Sequence, residues 1–247
     1  MSLISAIAML RESVVAIMQY HEVRPQTTKK GKVRPAEFSV RWGSGFCVVA
    51  DRYVVTAFHV MNGGQPRNPR DKFLVFVVPG NDKAAFHFPV IGFPAERADF
   101  DLAILEIGPC STQGVQLPAL PVTFATKPDG ARVLTIGFPS PEVGSLEIDA
   151  QGNFRGGKLF LKSHANEGIL SAQYLLGPLR MYEFNVGWHH GESGGPVVQL
   201  DDPVAAFTVM QSYRSIKAPH GIMAGPHRGC ELAAIQNDLI RLGATIV

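Results

Sequence analysis

The chain has 247 residues, 46% apolar and 18% charged, which excludes a disordered polymer and leaves room for one large core or two smaller ones. A net charge of +2 gives no strong pull toward nucleic acid or anionic lipid, and no apolar run approaches the ~20 residues that span a bilayer. Cys47, Cys110 and Cys230 are an odd set at wide spacing, neither a disulfide framework nor a metal pattern, so reduced thiols and a cytoplasmic compartment are expected.

The opening MSLISAIAML has no basic residue ahead of it and is cut short by Arg11 and Glu12, so it reads as an ordered turn or short helix. Short apolar runs follow, rich in Val, Ile, Phe and Tyr and bounded by Gly, Pro, Asn or Asp, which is the signature of strands. In the first part of the chain these are VVAIM (14–18), GFCVV (45–49), YVVTAFHV (53–60), FLVFVV (73–78) and LAILEI (102–107). The second part adds RVLTIGF (132–138), KLFL (158–161), RMYEFNV (180–186), PVVQL (196–200) and VAAFTVM (204–210). Between the first two runs lies RPQTTKKGKVRPAE (24–37), with Arg24, Lys29, Lys30, Lys32 and Arg34 ahead of Glu37. A solvated loop is expected there; a site for an anionic partner or a self-cleavage loop is the sharper alternative.

Residues 108–130 are strand-poor and proline-rich, and they read as the connection between two all-β halves, 1–120 and 121–247. A helical period appears only in CELAAIQNDLIRLG (230–243), where Leu232, Ile235, Leu239 and Leu242 predict an amphipathic closing helix. Many short strands with tight turns point to barrels or a sandwich.

The segment GWHHGESGGPVV (187–198) crowds Gly191, Gly194 and Gly195 around Ser193. A lone serine is a poor nucleophile; it needs an imidazole within hydrogen-bond reach and a carboxylate that fixes the imidazole's tautomer. Of the eight histidines, His59 sits at the end of a strong strand, after a GSG turn at 43–45, where a rigid support would aim it into a cleft. The stretch DFDLAILEI offers Asp99 and Asp101; Asp101 directly abuts the apolar run and is preferred as the better shielded. Singly, a strand-end histidine or an aspartate before a strand is more often structural. Their order along the chain with Ser193 changes that reading.

TAFHV resembles the histidine motif of trypsin-like serine proteases, DLAIL their aspartate motif and GESGGPVV their nucleophile motif. The resemblance runs from about residue 13 to the terminal helix and implies two antiparallel six-stranded β-barrels with the site in the cleft between them. It implies an acyl-enzyme on Ser193, with His59 as general base and acid and Asp101 holding the ring. The amides of Gly191 and Ser193 would stabilise the oxyanion. Gly187, Trp188, His189 and His190, then Thr208, Val209, Met210 and Gln211, would line the primary pocket. The substrate is a polypeptide, and neither cofactor nor metal enters such a reaction.

The chain departs from the secreted digestive branch of that family. Glu192 stands where that branch has an aspartate, Val60 where it has a cysteine, and no activation-type amino end precedes SVVAI. It looks closer to the bacterial and organellar Deg/HtrA branch, without room for a PDZ domain. Another restraint is then expected, either narrow specificity or an oxyanion hole partly unformed at rest. Gly187 at the pocket base does not favour lysine or arginine; a small or medium apolar residue is expected, or Glu or Gln if His189 or His190 reads it. Three rivals compete. A metal site from His189, His190 and Glu192 is awkward because adjacent strand residues face opposite ways. A phosphate loop lacks the Gly-Lys-Ser/Thr that should follow its glycines. A catalytically silent module using the same fold for peptide capture is the third.

Overall fold

The computed structural model describes residues 2–247 except 24–25, 28–32, 35–36, 64–66, 81–83, 188, 201–202 and 219–220. The apolar amino end forms helix α1 (Leu3–Ser13), opened by Ser2, whose hydroxyl accepts from the Ser5 amide. The helix buries Ala6 and Leu10, so the segment read as a turn or short helix is three helical turns laid on the core.

Eight strands follow: β1 (Val14–Val23), β2 (Gln26–Thr27), β3 (Val33–Arg34), β4 (Glu37–Val49), β5 (Tyr53–Thr56), β6 (Lys72–Val77), β7 (Phe86–Arg97) and β8 (Leu102–Ile107). Six of them close an antiparallel barrel in the order β1-β4-β5-β8-β7-β6, and β2 pairs with β3 apart from it. The run VVAIM is continuously apolar because both faces of β1 are buried. Val15 and Ile17 point into one cluster with Cys47, Val54 and Leu105. Val14, Ala16 and Met18 join a second cluster that includes Leu10 of α1 and Leu134, Ile136 and Val198 of the other half. Of the basic stretch 24–37, Arg24, Lys29, Lys30 and Lys32 lie outside the described residues.

Two local expectations change here. The GSG at 43–45 lies inside β4 and makes no turn. A side chain at Gly43 would collide with Val60, and one at Gly45 would meet Ile17 at 2.8 Å, so the glycines serve close packing. The strand YVVT stops at Thr56, and helix α2 (Phe58–Asn62) follows, closed by Gly63 at φ +63 with its amide on the His59 carbonyl at 2.7 Å. His59 therefore sits on a one-turn helix, not at a strand's end.

The connection docks on both halves: the Leu120 amide donates to the Cys47 carbonyl, while Val122 bridges to Ala206 and Ile246. Beyond it lie β9 (Arg132–Gly137), β10 (Glu142–Ile148), β11 (Phe154–Phe160), β12 (His164–Leu176), β13 (Leu179–Asn185), β14 (Pro196–Gln199), β15 (Ala206–Val209), β16 (Ser212–Ala218) and β17 (Gly221–Cys230). Seven of these form one sheet in the order β15-β14-β9-β12-β13-β17-β16, and β10 and β11 make a separate hairpin. The fold is the chymotrypsin-like, mostly-β class read from the sequence. The second half, however, is a seven-stranded half-barrel and not a closed six-stranded one. A 3₁₀ turn (Leu232–Ile235) and helix α3 (Gln236–Leu242) end the chain and bury Leu232, Ile235 and Leu239. None of the described helices is long and apolar enough to cross a membrane.

Candidate active site

His59 and Asp101 are in direct contact. The ring Nδ1 lies 2.8 Å from Asp101 Oδ2 and 3.0 Å from Oδ1, and the His59 amide also donates to Oδ1 at 2.9 Å. A carboxylate that takes both the ring and the amide of one residue fixes which face of the imidazole turns outward. Asp101 reaches this position from a left-handed turn, φ +52, which ends the 3₁₀ turn Ala98–Phe100 just before β8. Its carbonyl accepts from the Phe58 amide, so α2 and the aspartate loop are tied at backbone and side chain alike. The two side chains keep 34% and 32% exposure, so water reaches the carboxylate that the sequence suggested would be shielded. Asp99 is exposed, on the 3₁₀ turn.

Ser193 is 7% exposed, and its carbonyl accepts the Ser44 amide of β4 at 2.7 Å. Gly194, φ +89, presses so closely that an added Cβ would collide with the Ser44 carbonyl and the Thr56 hydroxyl and sit 3.0 Å from the Ala57 nitrogen, two residues before His59. The Ser193 hydroxyl donates to the Gln211 carbonyl at 3.2 Å; among the described residues it has no hydrogen bond to His59. The structure thus joins His59 to Asp101 and packs the backbone beside Ser193 against Thr56 and Ala57, with the Ser193 hydroxyl on the Gln211 carbonyl.

Gln211 is the joint between them. Buried at 4% exposure, its amide donates to the carbonyls of Phe100 and Asp101 at 2.7 and 2.9 Å, and its Oε1 accepts the Cys230 amide at 2.9 Å. Its side chain ties the aspartate loop to the strands behind Ser193, while its carbonyl receives the Ser193 hydroxyl. Thr208, Val209 and Met210 are fully buried, with the Thr208 hydroxyl on the Cys230 carbonyl. The signal for Gln211 is a lone amide inside the apolar run FTVMQ.

The turn before Ser193 is organised by its carbonyls. The His190 carbonyl accepts the Ser140 amide at 2.8 Å and the Gly191 carbonyl accepts the Ser44 hydroxyl at 2.7 Å. In a trans peptide the N–H points opposite to the C=O, so the Gly191 amide faces away from Ser140. Among the described residues the amides of Gly191 and Ser193 meet no backbone carbonyl, whereas those of Glu192, Gly194 and Gly195 donate to His189, Met210 and Glu192. Two such amides side by side can hold an oxyanion. Gly191 stands at φ +101, where an added Cβ would strike the Phe138 carbonyl.

Glu192, between them, is 1% exposed and accepts the His189 amide at 2.6 Å and the Asn166 side chain at 3.0 Å. Burial pushes its carboxyl up, against the two hydrogen bonds and the nearby His189 and His164. His189, His190 and Gly187 are exposed, and Trp188 lies outside the described residues. His227 on β17 is lowered first by burial and then by the charge of His189. No three described His, Cys, Asp or Glu side chains are gathered as a metal site.

A closed barrel facing a curled second sheet, with a histidine–aspartate pair and a glycine-flanked serine at their junction, defines the serine-protease fold. A sequence model of the trypsin-like peptidase domain matches residues 43–206, a span that holds all three side chains, and the chain belongs to that family. Among solved structures it is similar to an HtrA-type protease, an AlgW variant solved with a decapeptide. The TM-score is 0.63 at 16% identity, over 99% of this chain and 68% of the other. Comparison with curated proteins finds no significant match.

Proposed function

We propose that the protein is a serine endopeptidase that cleaves polypeptides through an acyl-enzyme on Ser193. The observation that carries this reading is the His59 ring clamped on Asp101, with the backbone next to Ser193 packed on Thr56 and Ala57 just before that ring. Rotation about the Ser193 Cα–Cβ bond would take the hydroxyl from the Gln211 carbonyl toward the outer nitrogen of His59. That ring would accept the proton as the oxygen attacks the scissile carbonyl, and return it to the leaving amine. Asp101 would hold the ring and stabilise the imidazolium, and the amides of Gly191 and Ser193 would receive the oxyanion.

With no acid at Gly187, we propose a small or medium apolar residue before the scissile bond. Glu or Gln is the alternative, supported by the exposed His189, whose charge is felt by His227. A second reading, a silent peptide-binding module, is supported by the resting place of the Ser193 hydroxyl on Gln211. Cleavage profiling against a diverse peptide library, with Ser193→Ala as blank, separates them. Cuts absent from the blank support the peptidase and give its preference. Binding without cuts by either protein supports the silent module.

A further inference from the structure

We propose that Ser44, on the first barrel, is a positioning residue that pins the 191–192 peptide, which lies between the two peptides of the opposite half that carry the Gly191 and Ser193 amides. The inference rests on the peptidase reading above and names what keeps its oxyanion donors in place.

Gly191 must be glycine to reach φ +101 beside the Phe138 carbonyl. The same freedom means that nothing within the residue prevents its peptides from rotating. The restraint has to come from outside, and the structure supplies it at two carbonyls. On one side the His190 carbonyl is held by the Ser140 amide, delivered from a left-handed turn at φ +44. A serine in that region is strained, and such strain persists only where neighbours impose it. On the other side the Gly191 carbonyl is held by the Ser44 hydroxyl.

Ser44 is fully buried and all of its polar groups are engaged. Its hydroxyl donates to Gly191 and accepts the Phe138 amide at 2.9 Å, its amide donates to the Ser193 carbonyl, and its carbonyl accepts the Thr56 hydroxyl at 2.7 Å. One side chain of the first barrel therefore bridges the two backbone segments, 138 and 191, that shape the oxyanion turn of the second. Loss of the hydroxyl would leave a buried N–H and a part-buried C=O without that partner, and rotation of the 191–192 peptide is the way for that carbonyl to find another.

The test compares Ser44→Ala with Tyr20→Phe in the full chain. Tyr20 is a control of the same kind, a buried hydroxyl that accepts a backbone amide, from Phe154 at 3.1 Å. Ser44→Ala is expected to lower kcat ~10- to 100-fold with KM nearly unchanged, since a freed 191–192 peptide lets the donor peptides on either side of it shift and so weakens transition-state binding. It should weaken a peptide boronic acid, which mimics the tetrahedral state, by a similar factor. Tyr20→Phe should leave both unchanged. Amide exchange of residues 138 and 190–193 is read in parallel, and faster exchange at Phe138 and Glu192 in Ser44→Ala supports the clamp. If Ser44→Ala does not fold, Ser44→Cys, which keeps a weak donor, should show the same pattern at smaller size. Unchanged kcat and unchanged exchange in a folded variant overturn the proposal. If the wild type cleaves nothing, the peptidase reading fails, and exchange still decides the clamp.

Discussion

The two halves contribute to the site by different means. The first barrel presents side chains: an imidazole and a carboxylate that already touch, held by a one-turn helix and a left-handed aspartate loop. The second half presents mostly backbone: a glycine turn whose carbonyls are pinned elsewhere so that, among the described residues, two amides stand free of backbone acceptors, with one hydroxyl turned to Gln211. Side-chain chemistry can be set by one hydrogen bond, because the ring needs only a tautomer and a direction. Backbone chemistry needs every peptide around it fixed, and some of the fixing crosses from the first barrel through Ser44.

The comparison is broken or sharpened by five substitutions. The largest effect is expected from Ser193→Ala, which should keep the fold by circular dichroism and lower turnover by ~10⁶-fold, as loss of a triad nucleophile does. Asp101→Asn should cost ~10⁴-fold in kcat by leaving the His59 ring in the wrong tautomer, while Asp99→Asn should cost little; the reverse order would mean the wrong carboxylate was chosen. Gly191→Ala forces a Cβ against the Phe138 carbonyl and should cost ~10²- to 10³-fold in kcat, the range for losing one oxyanion donor, with the His59–Asp101 pair intact by imidazole NMR.

The smallest effect is on stability. Burial raises the Glu192 carboxyl above its ordinary 4.5, so the folded chain binds that proton more tightly than the unfolded chain does. This contribution is fully present below the ordinary value and is lost as pH rises through the raised one. The melting temperature of the wild type relative to Glu192→Gln should therefore fall by a few degrees as pH climbs through that window. A difference that grows with pH would contradict the sign.

The site motifs were legible because chemistry narrows what can stand at His59, Asp101 and Ser193, and the strongest strands because Val and Ile crowd doubly buried positions. What was missed follows from weaker physical signals. Strand β7 carries Pro89, Gly92 and Pro94 and bends through two register shifts, so its alternation is diluted. Strands β10 and β12 are half-exposed and polar, and β17 is interrupted by glycines and Pro226. Ser44 hid inside a glycine pair that resembles a turn, and Gln211 at the end of a run that reads as core. Both act through backbone groups far away in sequence, and such partners leave no local pattern.

The most direct measurement is mass spectrometry of the protein after reaction with a fluorophosphonate at neutral pH. An activated hydroxyl beside a clamped imidazole should yield one adduct, located at Ser193 and slowed by several orders of magnitude in Asp101→Asn. No adduct on Ser193 in a folded wild-type protein, or equal labelling with and without the Asp101 carboxylate, would contradict the assembly of these three side chains into one reactive unit.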